Sequence, residues 1–432
     1  MSKFKQNVGW IFFGNIAHAV FQYLINIICA RAFGTDDYGL ISYAGALIAF
    51  FTSAGTLGFY AVITKLFADD EERAGEYLGT AIAARLVFSV AAVMALQVIV
   101  ALAYSDEPML KTVVFCQSLQ IVFSTADLII YWFRYKDNAK SVAILRLVAF
   151  FVAAALRLLA IIVLKNISLY VLGTALETGF FSVLLMYFLR QKYTEVHLTF
   201  SKASLILMLR ISYPFICSSL LSAIYAETDK VMLKSMLDNT VVALYSVSQT
   251  LAGAIAIIPS ALIEGFRPDI MRYKISDELM YKKRFQQLYG LVFWVSIAYC
   301  VFITIFAKPI INILYGEQYI GAVSSLSVIV WYTSFSYFGA INNVYMAAEN
   351  KTRWVQIITL SGALLNVFLN YILIPPFGIV GAAAASLATQ FVANFVLIYF
   401  IRPLREDFFI MIEGITLKGF FNKGLKRITN ND

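Results

Sequence analysis

Ten charged side chains lie inside stretches of sequence that are otherwise apolar. The cations are Arg85, Arg146, Arg157, Arg210 and Lys230, and the anions are Asp127, Glu177, Glu227, Asp229 and Glu264. A charge near the centre of a membrane-crossing helix costs about 2.5–3.5 kcal/mol on insertion scales, so such residues need a purpose. Guanidinium is the side chain best suited to hold phosphate or carboxylate through paired hydrogen bonds. Arg146 and Arg157 stand about 16 Å apart along a helix and nearly on one face. These positions suggest an anionic ligand that meets Arg85 and Arg146 first and Arg157 later, with Lys230 as a further cation. Asp127 is expected at the depth of Arg85 and Arg146, bridging the two guanidiniums. Glu227, Asp229 and Lys230 are close enough in sequence to neutralise one another. Arg210 and Glu264 fall near the ends of their stretches and read as structural. The competing reading is that all ten ions pair off as bridges or snorkel to the interfaces.

Polar residues at helical spacing accompany the ions. Asn15, His18, Gln22 and Asn26 share one helical face, as do Gln117, Gln120, Ser124, Asp127 and Tyr131, and Ser212, Ser219, Ser222 and Asp229. A polar face turned to lipid is costly, so each must meet protein or water. The candidate substrate contacts are therefore Asn15, Gln22, Asn26, Gln117, Gln120, Ser219 and Ser222, together with Arg85, Arg146, Arg157 and Lys230. The candidate proton or cation carriers are His18, Asp127, Glu177, Glu227 and Asp229. His18 is the one histidine within an apolar stretch, and imidazole titrates near neutral pH.

The elements that must position these groups are long apolar helices. Hydrophobic residues make up 60% of the 432, charged residues only 14%, and mean hydropathy is +0.76. A soluble chain would carry nearer a quarter charged residues. Roughly 20 apolar residues cross a bilayer core. The sequence predicts twelve spans, at 8–30, 39–64, 77–104, 112–133, 141–164, 167–189, 207–233, 241–266, 286–307, 322–348, 354–375 and 379–401. The seventh, with Pro214 and its charged cluster, is the weakest pattern. The first imitates a signal peptide, down to a cleavage-like Ala30-Arg31-Ala32. It is too long for one and is followed by many more spans, so it is expected to be retained. Cys29, Cys116, Cys217 and Cys300 all sit in apolar runs and read as small buried hydrophobes.

Lysine and arginine give the orientation. Twenty-four of the 34 fall on the side of the N-terminus, against five on the other side (Arg31, Lys111, Lys165, Lys234 and Lys308). Both termini are thus expected in the cytoplasm. The net charge of +8 follows from that bias, with no nucleic-acid signature. The expected organisation is a six-helix bundle at 1–190, a cytoplasmic linker at 191–206, a second six-helix bundle at 207–401 and a basic tail at 402–432. In the tail, Lys418, Lys423, Lys426 and Arg427 among Phe408, Phe409, Phe420 and Phe421 suit an anionic membrane surface. There is no nucleotide-binding loop of the G-x-x-x-x-G-K-[ST] type, and no constellation for catalysis or metal binding. No cofactor is expected. The short loops on the far side oppose a glycan polymerase or ligase.

Three segments carry a family resemblance. Ala30-Arg-Ala-Phe-Gly-Thr-Asp-Asp-Tyr-Gly39 resembles the R-x-(L/F)-G-x-x-x-Y-G turn of bacterial polysaccharide-unit (Wzx-type) flippases, in the multidrug/oligosaccharidyl-lipid/polysaccharide exporter superfamily. Leu314-Tyr-Gly-Glu-Gln-Tyr319 is similar to another recurrent feature of that group. Asn366-Val-Phe-Leu-Asn-Tyr-Ile-Leu-Ile-Pro-Pro-Phe-Gly-Ile-Val-Gly-Ala-Ala383 resembles its N-x-x-L-N-x-x-L-I-P-x-x-G-x-x-G-A-A signature. The resemblance implies an all-α membrane protein of two pseudo-symmetric six-helix bundles around a V-shaped cavity. Its implied cargo is an oligosaccharide repeat unit on undecaprenyl pyrophosphate, moved between leaflets of the inner membrane for O-antigen and lipopolysaccharide synthesis. Implied partners are a polysaccharide polymerase, a chain-length regulator and a coupling proton or sodium ion. A multidrug extruder shares the fold, but many members carry an acidic residue in the first helix, where this chain has Asn15 and His18. A lipid II flippase is similar too, but that group usually adds two helices after the twelfth.

Overall fold

The computed structural model describes residues 3–416, with side chains from Gly9 onward apart from residues 11–13. The tail residues Lys418, Phe420, Phe421, Lys423, Lys426 and Arg427 lie outside the described residues. Sixteen α-helices and no strands make up the described chain. They are α1 Lys3–Gly55, α2 Ile63–Asp69, α3 Ala74–Ala103, α4 Pro108–Phe123, α5 Ile129–Tyr135, α6 Ala139–Ile162, α7 Ile167–Lys192 and α8 Lys202–Met236. There follow α9 Asn239–Gly253, α10 Ile257–Ser276, α11 Glu278–Leu314, α12 Ala322–Ile329, α13 Tyr332–Ala348, α14 Arg353–Phe391, α15 Leu397–Phe400 and α16 Arg405–Ile415. Among the described residues, nine helices are long and apolar enough to cross a membrane.

Two of those nine hold a reversal inside them. α1 is broken at Gly34 (φ 84°, ψ −176°) and α14 at Gly378 (φ 55°, ψ −131°). Both conformations belong to glycine, since a Cβ would clash with the backbone there. The expected second span, 39–64, ends early. α1 stops at Gly55, Leu57 and Gly58 take positive φ, and a 3₁₀ turn leads into α2. α8 approaches closely at this break, and a Cβ on Gly58 would lie 2.9 Å from the carbonyl oxygen of Ser212. The expected tenth span, 322–348, is likewise divided into α12 and α13. α8 is continuous despite Pro214. Its Ser218 hydroxyl donates to the Pro214 carbonyl at 3.0 Å.

The chain divides into two compact units, residues 1–227 and 228–432, and the division falls inside α8. In the first unit, Phe67, Trp132, Phe133 and Tyr193 meet edge to face in a core under α2, α3 and α5. Residues 193–201, between α7 and α8, lie along α3, where Gly75 and Gly79 leave no room for a side chain beneath the backbone of His197 and Thr199. In the second unit, Phe285, Tyr289, Phe338 and Tyr345 form the aromatic core of α11 and α13, and α16 closes it with Ile410 and Met411. Outward faces remain apolar and exposed, for example Val87, Leu102, Val183, Ile305 and Leu364, as a bilayer-embedded protein requires. The four cysteines are free. Cys29 and Cys300 are buried as expected, whereas Cys217 is exposed on α8.

Candidate functional site

The first unit holds two kinds of polar centre. One is closed. Arg157 on α6 is fully buried, and Gly173 on α7 makes room for it, since a Cβ there would stand 2.6 Å from the Arg157 Cγ. Its Nη1 donates to Glu177 Oε2 at 2.9 Å and to Gln22 Oε1 at 3.0 Å. Tyr170 lies 3.4 Å from Nη2 and donates onward to Asn26 at 3.2 Å. The other Glu177 oxygen meets His18 Nε2 at 2.8 Å. The polar stripe of the first span is thus taken up against α6 and α7. Asn15 serves the same wall, accepting from Arg146 Nη1 at 3.3 Å, and the Arg146 guanidinium also covers the Phe181 ring at 5.2 Å.

The other centre is open. A cavity of about 380 Å³ is lined by Gly45, Ala49, Thr52, Ser53, Gln120, Ser124, Asp127 and Thr178. A second, of about 440 Å³, shares Ala49 and Ser53 and adds Tyr60, Ser218, Ser219, Ser222 and Glu227. Local backbone explains the first lining. α4 does not run straight into α5; Ser124–Leu128 tightens into a 3₁₀ turn that carries Asp127. A 3₁₀ stretch within a long helix often marks a functional hinge. Arg85 is nearly buried and its Nη2 is 3.5 Å from Ser124 Oγ. Asp127 feels both Arg85 and Arg146 electrostatically, yet it forms an ion pair with neither, and its Oδ1 is buried without a hydrogen-bond partner. The expected bridge between two guanidiniums is not made. Gln117 packs over Gly45, 3.4 Å from where a Cβ would lie.

The second unit holds a different carboxylate. Asp229 on α8 is almost wholly buried. It accepts from Asn370 Nδ2 at 2.5 Å, from Ser386 Oγ at 2.5 Å and from the Tyr245 hydroxyl. Asn370 also donates to Asn366 Oδ1 at 3.1 Å. Asn366 Nδ2 and Asn370 Oδ1 are buried and unmatched. Among the described residues no lysine, arginine or histidine pairs with Asp229, so the expected neutralisation by Lys230 is not what holds it. Lys230 itself is part-buried on α8, and Glu264 pairs with Arg267 at 3.1 Å on the surface. No cluster of three His, Cys, Asp or Glu able to hold a metal occurs among the described residues. Sequence reasoning missed Thr52, Ser53, Tyr60 and Thr178. The signal was there in the spacing of Gly45, Ala49, Thr52 and Ser53, a small and hydroxyl-bearing face on α1.

Residues 4–264 match the polysaccharide biosynthesis protein family. The chain belongs to that family. A shorter stretch of 123 residues is 28% identical to an uncharacterized membrane protein of Methanocaldococcus jannaschii; it spans 28% of this chain and 24% of the relative, about a quarter of its length. The fold is similar to the lipid II flippase MurJ in an inward closed conformation (TM-score 0.74, 13% identity, 94% of this chain and 90% of that one). It is also similar to multidrug resistance MATE transporters, inward-facing (0.68, 15%, 90% and 94%) and outward-facing (0.63, 16%, 94% and 94%). The chain is therefore a multi-pass membrane protein of that family with the MATE-like fold.

Proposed function

We propose that the chain is a flippase. It carries an undecaprenyl-pyrophosphate-linked oligosaccharide repeat unit from the cytoplasmic to the periplasmic leaflet of the inner membrane by alternating access. The observation that carries this reading is the lining of the two first-unit cavities. Ser53, Thr52, Gln120, Ser124, Thr178, Ser219 and Ser222 offer hydroxyls and a carboxamide, the groups that hydrogen-bond sugar hydroxyls. Arg85 and Arg146 beside Asp127 supply cations for the pyrophosphate, while Arg157, spent on Glu177, positions the wall from behind. Asp229 is the coupling site. A carboxylate held by three neutral donors lacks one positive charge, which a proton or sodium ion would bring. Both termini face the cytoplasm on this reading, and a polymerase and chain-length regulator would take the delivered unit.

The test uses purified protein in vesicles with a fluorescent polyprenyl-diphosphate oligosaccharide. Translocation well above empty vesicles is expected, reduced about tenfold by Ser219→Trp, which fills the cavity. Movement no faster than in empty vesicles overturns the reading. Transport of lipid II or of a cationic dye in place of the oligosaccharide would assign the chain to those cargoes.

A further inference from the structure

α16 follows the last membrane helix and packs on α11 and α13, and its Asp407 is fully buried. The hydrogen bonds around that carboxyl do not balance for a carboxylate. Asn342 is fixed in orientation, because its Nδ2 donates to the Asn394 carbonyl at 3.0 Å and leaves Oδ1 as an acceptor. The Tyr289 hydroxyl lies 2.6 Å from that Oδ1 and 2.9 Å from Asp407 Oδ1. A phenol has one proton and cannot donate to both. If Tyr289 donates to Asn342, the shorter contact, then the Asp407–Tyr289 contact needs its proton from the carboxyl. Asp407 Oδ2 is buried with no hydrogen-bond partner, a state far cheaper for a neutral acid than for an ion.

The geometry points to Asp407 as a proton-binding site whose proton holds α16 on the end of the second unit, so that α16 is released as the proton leaves. This reading is independent of the cargo and of Asp229. The groups that face the site are Tyr281 and Tyr289 on α11, Tyr345 on α13, Glu349 and Lys351 just after α13, and Glu406 on α16. Glu406 and Glu349 are tied to Lys282 at 2.8 Å and to Lys274, and these lysines hold both carboxyls below the ordinary range. They stay ionised where Asp407 titrates. Burial pushes the Asp407 carboxyl up to about 8, and the Tyr289 hydroxyl and Lys351 only partly offset it.

The sign follows from linkage. The docked state binds the proton more tightly than the released state, so docking is complete at low pH. It weakens as pH rises through the released carboxyl's ordinary value of about 4 up to about 8, and is flat above. An 11-residue helix is marginal by itself in water, so release exposes its amides. Hydrogen exchange on the full-length protein, corrected for the chemical rate, reads this directly. Protection of residues 405–415 should fall between pH 5 and pH 8 by up to about tenfold per unit. Asp407→Asn should keep α16 protected with no such slope. Infrared difference spectra should show a protonated carboxylic acid at pH 6 that is missing in Asp407→Asn. Wild-type protection independent of pH overturns the proposal whether or not the variant folds. So does a pH slope unchanged in Asp407→Asn, or an acid band that survives that substitution.

Discussion

Glu177 in the first unit and Asp229 in the second are both carboxylates within membrane helices, and they are satisfied in opposite ways. Glu177 takes a guanidinium on one oxygen and an imidazole on the other. Asp229 takes a phenol, a hydroxyl and a carboxamide, all neutral. The first arrangement brings a guanidinium against the carboxyl; the second is well bonded but has no cationic partner among the described residues. The difference separates a carboxyl paired with a cation from one held by neutral groups alone, although the sequence shows the two alike, as an acid in an apolar run.

The comparison can be broken most sharply at Arg157. Arg157→Ala leaves the part-buried Glu177 beside a void and should cost about 3 kcal/mol, read as a lower melting temperature and a lower yield in membranes. A double change, Arg157→Met with Glu177→Leu, should recover most of that loss, because removing both charges removes the desolvation cost too. Asp229→Asn should behave in the reverse manner. Its neutral donors remain, so the melting temperature should hold, while gradient-driven transport falls about 100-fold, or about 2.7 kcal/mol. A stable Arg157→Ala, or an active Asp229→Asn, would dissolve the distinction. Gly34→Ala should cost about 1–3 kcal/mol through backbone strain alone, measured by thermal unfolding with the polar centres intact. Smallest is Lys282→Ala. It removes surface pairs to Glu406 and Glu278 and should change stability by less than about 1 kcal/mol.

Much of the fold was legible because hydrophobic length is a strong signal: long apolar runs, a turn at Gly34, another at Gly378. What was not legible is where helices break without a polar residue to mark it. The break at Gly58 coincides with the close approach of α8, which a single sequence does not reveal, and nothing in the sequence marks the division between α12 and α13 at residues 330–331. The face of Asn15, His18, Gln22 and Asn26 stays together, whereas that of Ser219, Ser222 and Asp229 is divided between a first-unit cavity and a second-unit cluster. The stripe of Asn15, His18, Gln22 and Asn26 reads as cavity lining from spacing alone, yet α6 and α7 consume it through Arg146, Arg157, Tyr170 and Glu177. Pairing depends on which helices are adjacent, and depth along a helix gives height without giving neighbours. Asp127 illustrates the same limit. Its height near Arg85 and Arg146 was readable, whereas the 3₁₀ turn that carries it was not.

The breaks at Gly34 and Gly378 bear on how the topology of this protein can be mapped. At each, consecutive spans are joined through one non-helical residue, with no stretch of free chain between them. Reporter fusions, epitope tags or cysteine labels placed there would disrupt the hairpin they are meant to report on. Tolerant insertion points are the true connectors, such as residues 104–107 and 163–166, and a sidedness assay built on those two would read the orientation without disturbing the fold; residues 193–201, packed against Gly75 and Gly79 of α3, are not among them.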